Sequence, residues 1–170
     1  MGMTTTAARR VGGFAIALLL LSACGSSGNG SSTGGSSDTT VSTKPAGSGT
    51  VLVDSSGRTL YFTDQDTASK IACTAGCAQV WLPLTVSAGT TPTAPAGVPG
   101  PVGTMVRPGS SAMQVTYDGK PLYTFTLDSQ PGELTGNGVT DQFGGTHFTW
   151  HAAFTTGGAS SSSTPQLPGY

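Results

Sequence analysis

Two ten-residue stretches set the terms on which this chain can fold: residues 57–66, Gly-Arg-Thr-Leu-Tyr-Phe-Thr-Asp-Gln-Asp, and residues 119–128, Gly-Lys-Pro-Leu-Tyr-Thr-Phe-Thr-Leu-Asp. At an offset of 62 residues, Gly57, Leu60, Tyr61 and Asp66 fall on Gly119, Leu122, Tyr123 and Asp128, Arg58 falls on Lys120, and Val53 falls on Val115. One short pattern used twice builds one unit twice. The unit here is a strand, a turn and a returning strand.

In the first copy Val51 and Val53 share a face, as a period of two requires. Asp54-Ser55-Ser56-Gly57 is turn chemistry, and residues 59–63 return as a strand rich in aromatic and β-branched side chains. Asp66 stands where it would cap a short helix over residues 68–77, its carboxylate accepting free N–H groups of the first turn. Residues 87–101 are a connector of Pro, Gly, Thr and Ala. In the second copy Met113, Val115 and Tyr117 alternate with polar residues, Asp118-Gly119 is a hairpin signal, and Pro121 suits an edge or a strand start. After the turn Asp128-Ser129-Gln130-Pro131-Gly132 and a Gly-rich loop, residues 146–154 alternate Phe148 and Trp150 on one face. The expected fold is all-β: two tandem antiparallel β-units, over 51–86 and 112–155, sharing one core with one short helix.

The flanks have a different composition. Arg9 and Arg10 precede an apolar run, and Leu21-Ser22-Ala23-Cys24 closes it, which is the layout of a secretory signal over residues 1–23. The run is about 11 residues, too short for a bilayer span of about 20. Leu-Ser-Ala-Cys resembles the bacterial lipobox, which implies that Cys24 is lipidated and becomes the mature N-terminus. Residues 24–49 are a Gly/Ser/Thr-rich linker with no apolar period, and residues 157–170 a similar tail; neither can bury enough surface to order itself. The expected domain is therefore 50–156, held by a lipid on the extracytoplasmic face of the cell membrane. Beyond residue 23, five Lys/Arg face eight acids without a basic cluster, so a phosphate backbone is not the partner. The expected partners are the membrane, through the anchor, and an envelope ligand or protein.

The candidate site residues each carry two readings. The Tyr61/Asp66 and Tyr123/Asp128 pairs read as core tyrosines with satisfied hydroxyls and turn-capping aspartates, or as two acidic turns, with Asp64, meeting to bind a cation such as Ca²⁺. Cys73 and Cys77, the pair remaining once Cys24 is lipidated, read as a disulfide in an oxidising compartment. The alternative is a redox or metal pair that handles copper or haem with His147 and His151, helped by Met105 and Met113. On a strand the two histidines would share a face about 13 Å apart, too far for one metal to bridge alone. No phosphate-cradling loop, nucleophile elbow or Ser/His/Asp set stands out, so the leading expectation is a non-catalytic binding module with no cofactor.

The Leu-Tyr-x-x-x-x-Asp pair, the Cys-x-x-x-Cys-Ala-x-x-Trp segment and the Gly-Lys-Pro-Leu-Tyr-Thr-Phe-x-x-Asp segment together resemble a family of bacterial secreted-repeat lipoproteins. That family is described by a Tyr-x-(Phe/Trp/Tyr)-x-x-Asp motif, usually in tandem. The resemblance covers roughly residues 51–155. Tyr123, Phe125 and Asp128 match the motif in full; in the first copy Thr63 stands where an aromatic is usual. The resemblance implies a class and a location, and brings no activity with it.

Overall fold

The computed structural model describes residues 40–156. The leader, Cys24 and the tail 157–170 lie outside the described residues. Within them the chain is all-β with a single four-residue helix. The first strand, β1 (Ser42–Ala46), lies inside the stretch read as linker, so the fold begins ahead of residue 50. It pairs antiparallel with β2 (Gly49–Val53) through the two-residue turn Gly47-Ser48. Its own sequence, Ser-Thr-Lys-Pro-Ala, has no apolar period; its order comes from the partner strand.

The first copy continues with β3 (Leu60–Thr63), the helix α1 (Cys77–Val80), β4 (Trp81–Pro83) and β5 (Thr85–Val86). The second runs through β6 (Val102–Val106), β7 (Met113–Tyr117), β8 (Lys120–Pro121), β9 (Tyr123–Phe125), β10 (Thr140–Phe143), β11 (Thr146–Ala152) and β12 (Phe154–Thr156). The turn between β7 and β8 is the expected Asp-Gly hairpin: Asp118 and Gly119 have φ of 49° and 76°, and Tyr117 faces Lys120 across it. Pro121 sits in β8, which pairs with β7 alone.

The two copies do not lie side by side; they exchange strands. The largest sheet has the order β10-β11-β3-β9-β4. Its centre is the antiparallel pair β3–β9, one strand from each copy, with Tyr61 directly opposite Tyr123. Each copy's Trp-bearing strand then crosses to flank the other copy: β11 places Trp150 opposite Thr63, and β4 places Trp81 opposite Phe125. The three-stranded and the four-stranded sheet repeat the exchange, since β1-β2 is completed by β12 and β6-β7-β8 by β5.

A local twofold therefore passes through the β3–β9 pair, and the backbone hydrogen bonds show its register. Leu52 N–H donates to Ala153 O (2.9 Å) and Ala153 N–H to Leu60 O (2.8 Å). Their counterparts are Val115 N–H to Leu84 O (2.8 Å) and Leu84 N–H to Leu122 O (3.0 Å). Val115 thus corresponds to Leu52, not to Val53 as the constant offset suggests, because the turn after Leu52 is one residue longer than the turn after Val115. Val53 packs in a different cluster from Val115.

Side chains alternate across β3 and β9, so the central pair divides the core in two. Leu60 and Leu122 join Leu52, Val115, Val41 and Ala153 on one face. Tyr61 and Tyr123 face the other, among Trp81, Trp150, Phe125 and Phe148. There the indoles of Trp81 and Trp150 stack at 3.8 Å and 9°, with Phe125 stacked on Trp81 at 4.1 Å. Tyr61 meets Trp81 edge-on at 5.5 Å, and Tyr123 meets Trp150 at 5.2 Å. The edge-to-face contacts are ones the ring quadrupoles favour. Where Thr63 replaces the expected aromatic, Trp150 is packed instead by Phe148 of its own strand, at 6.0 Å.

The helix expected over 68–77 does not form there; it occupies Cys77–Val80. Two competing bonds explain this. Thr67 and Lys70 exchange both backbone hydrogen bonds (2.9 and 3.3 Å), closing a tight turn. The Asp66 carboxylate reaches past the residues a helix cap would serve and accepts the N–H of Ala72 (2.6 Å) and of Cys73 (3.4 Å). The chain is thereby held as an open loop.

Candidate functional site

The motif residues meet on the aromatic face of the β3–β9 pair, and they pair crosswise. Tyr61 Oη of the first copy donates to Asp128 Oδ2 of the second at 2.7 Å, while Tyr123 Oη donates to Asp66 Oδ2 at 2.6 Å. In each case the other carboxylate oxygen holds its own loop. Asp66 Oδ1 takes the amides of Ala72 and Cys73, and Asp128 Oδ1 takes the Thr135 amide (3.2 Å) and the Thr135 hydroxyl. Cys73 and Thr135 both lie seven residues beyond their Asp. The tyrosine is 0% exposed in both copies, and the aspartates are 0% and 7% exposed. Gly136 admits this closeness: a Cβ there would stand 2.8 Å from Trp81 Cη2 and 3.0 Å from Tyr61.

The electrostatics follow from burial. Both tyrosine hydroxyls are pushed far above their ordinary pKa, chiefly by desolvation and further by the carboxylate each one faces. Burial also raises the Asp128 carboxyl, against the hydrogen bonds from Thr135 and Tyr61 that favour its charge. The tyrosines are therefore neutral donors to buried acceptors. Such pairs stabilise by satisfying groups whose exposure to an apolar surround would cost about 1–3 kcal/mol each.

A third buried acid joins the cluster without any forewarning from the motif. Asp141 on β10 accepts both indole N–H groups, Trp81 Nε1 at 2.7 Å and Trp150 Nε1 at 3.1 Å, so one carboxylate ties the two stacked rings together. Burial raises its pKa, opposed by those same two bonds. A signal was present: Val139, Asp141 and Phe143 alternate on one inward face, which puts an acid on an apolar stripe. Arg107 was likewise not anticipated. Buried just after β6, it donates to Gln114 Oε1 and to Cys73 O (3.1 Å), while Gln114 Nε2 reaches Leu122 O (2.8 Å).

Cys73 and Cys77 form a disulfide, with Cα atoms 5.3 Å apart and both residues buried. The copper or haem set is not assembled by this geometry. The cysteine sulfurs bond each other, His151 Nε2 lies 3.1 Å from Asp64 Oδ2 beside the Phe62 ring, and His147 is exposed on the same strand. The cation reading of Asp66 and Asp128 meets the same obstacle, because their oxygens are filled by hydroxyl and amide donors. Among the described residues no three His, Cys, Asp or Glu side chains come together as a metal cluster, and no buried side-chain nitrogen or oxygen lacks a hydrogen-bond partner. A surface cleft of about 460 Å³ lies between the disulfide loop and the β10–β11 hairpin, lined by Ala72, Thr74, Val80, Phe143 and Thr146 among others.

A small all-β domain built from two copies of one unit, locked by reciprocal Tyr–Asp pairs, defines a tandem-repeat class of structural module. The chain belongs to the family described as a secreted repeat of unknown function, whose pattern matches residues 42–85 and 106–153. Both matched segments include the hairpin strand that precedes the motif, β1 in one and the end of β6 in the other. The family places the protein outside the cytoplasm. No curated protein and no solved structure matches the chain significantly. Among the described residues, no helix is long and apolar enough to cross a membrane.

Proposed function

We propose that the protein is a lipid-anchored, extracytoplasmic, non-catalytic interaction module. The observation that carries the reading is the crossed Tyr61–Asp128 and Tyr123–Asp66 pairing: the motif's acids and hydroxyls are consumed in holding two repeats together. A catalytic acid or base must reach a substrate proton within hydrogen-bond distance, and these groups face each other instead. The motif then marks how the module is built, and its partner is met by the surface.

The anchor rests on Leu21-Ser22-Ala23-Cys24 and gives the module its place at the outer face of the cell membrane. Two or more acyl chains, at about 0.8 kcal/mol per buried CH₂, hold such a domain there stably. Two measurements test the proposal. Mass spectrometry of the mature protein is expected to show a diacylglycerol-modified Cys24, and Cys24→Ala to move the protein from the membrane fraction to the medium. Turnover of an envelope substrate that is lost in Asp128→Asn or Asp141→Asn, with melting temperature unchanged, would overturn the non-catalytic half.

A further inference from the structure

We infer that the unit of assembly is the repeat rather than the chain, so that two copies of this protein can complete each other by exchanging repeats. This goes beyond the surface-mediated interaction role proposed above. It rests on strand exchange alone and does not depend on the lipid anchor.

The inference comes from where the closing contacts lie. Within one repeat the paired strands are hairpins, β1-β2 in the first and β6-β7-β8 and β10-β11 in the second. The strand pairings that join those hairpins to one another run between repeats. The β3–β9 pair, the flanking β11–β3 and β4–β9 pairs, the β12–β2 and β5–β7 edges, both Tyr–Asp bonds and the Trp81–Asp141 bond all do so. None of these contacts requires that the two repeats share a chain. In a dimer Tyr61 of one copy would bond Asp128 of the second, and Tyr123 would bond Asp66, with nothing else altered.

What decides between the two arrangements is the connector 87–101. Val86 and Val106 both face Met113 from opposite sides of β7, so they lie about 10 Å apart. Val102 is four residues further along its strand, which makes the gap from Val86 to Val102 roughly 16 Å. Fifteen residues can reach about 50 Å when extended, so the connector closes the monomer with ample slack. It is tied to the domain near Thr93, whose carbonyl accepts the Val41 N–H at 3.1 Å. Without that slack closure within one chain is impossible, while closure between chains is not.

Deleting residues 88–100 leaves a reach of about 11 Å, short of the gap. The shortened chain is expected to double its mass in solution and to show a melting temperature that rises with concentration. A folded one-chain species would overturn the inference. A second measurement decides the matter if the deletion does not fold. Phe62 and His151 are cross-strand partners from different repeats and both are half-buried. Full-length chains carrying Cys24→Ser, one with Phe62→Cys and the other with His151→Cys, are unfolded, mixed, refolded at high concentration and oxidised. A disulfide-linked heterodimer is expected. Its absence, while the double variant in one chain does cross-link, would overturn the inference; either result leaves the lipid test on Cys24 untouched.

Discussion

Removing one oxygen from Tyr61 takes away the donor at 2.7 Å from Asp128 Oδ2 and leaves the ring in place. Tyr61→Phe is therefore expected to cost about 1–3 kcal/mol, the penalty for an orphaned buried acceptor, and Tyr123→Phe a similar amount at Asp66. Chemical denaturation checks both, and a loss below about 0.5 kcal/mol in each would show that the pairs do not hold the repeats. The acids add a pH dependence whose sign is fixed. Burial raises the folded pKa of Asp128 and Asp141 above the ordinary 3.8, so the native state binds protons that the unfolded chain does not. Stability from these two groups falls as pH rises through the folded pKa, and is fully present below the unfolded value. The contribution of these two groups is expected to grow as pH falls toward 3.8, and the Asp128→Asn, Asp141→Asn double variant to lose it, as melting temperature against pH would show. A double variant with the same slope as the wild type would contradict the burial of these carboxyls.

Among the elements, the disulfide loop has no cysteine counterpart in the second copy. Cys73 donates its N–H to Asp66 and accepts from Arg107 at its carbonyl, so the bridge braces the Asp66 end of the network. Its five-residue ring limits the loop-entropy gain to about 2 kcal/mol. Cys73→Ser, Cys77→Ser is expected to lose about that much, with faster hydrogen exchange at the Ala72 and Cys73 amides than at Thr135. Equal exchange at both ends would argue against a local brace. The disulfide, the Asp118-Gly119 hairpin and the duplicated strands were legible because their signals are local: a spacing, a turn pair, a period of two. Three features were not. β1 has the composition of a linker and is ordered by a neighbour. The helix over 68–77 was outbid by an Asp66 that bonds six and seven residues ahead. The crossed pairing of Tyr61 with Asp128 joins residues 67 apart, and nothing in a strand's own sequence says which copy its neighbour belongs to.

At the scale of the whole molecule, exchange makes the two repeats one cooperative unit. If each repeat closed its own core, damage to one would leave the other folded and the melt would show two steps. Here neither has a core to keep. Tyr61 loses its partner when the second copy unfolds, Trp81 loses Phe125 and Asp141, and β2 loses β12. A destabilising change in one copy, such as Leu122→Ala in the fully buried face, is expected to remove about 2–5 kcal/mol from a single shared transition. Hydrogen exchange would then speed by a similar factor in β2 and β7, which belong to different repeats. Two resolved transitions, or protection retained in β2 alone, would mean that the repeats are separate domains and that the crossed Tyr–Asp bonds decorate an interface instead of closing a core.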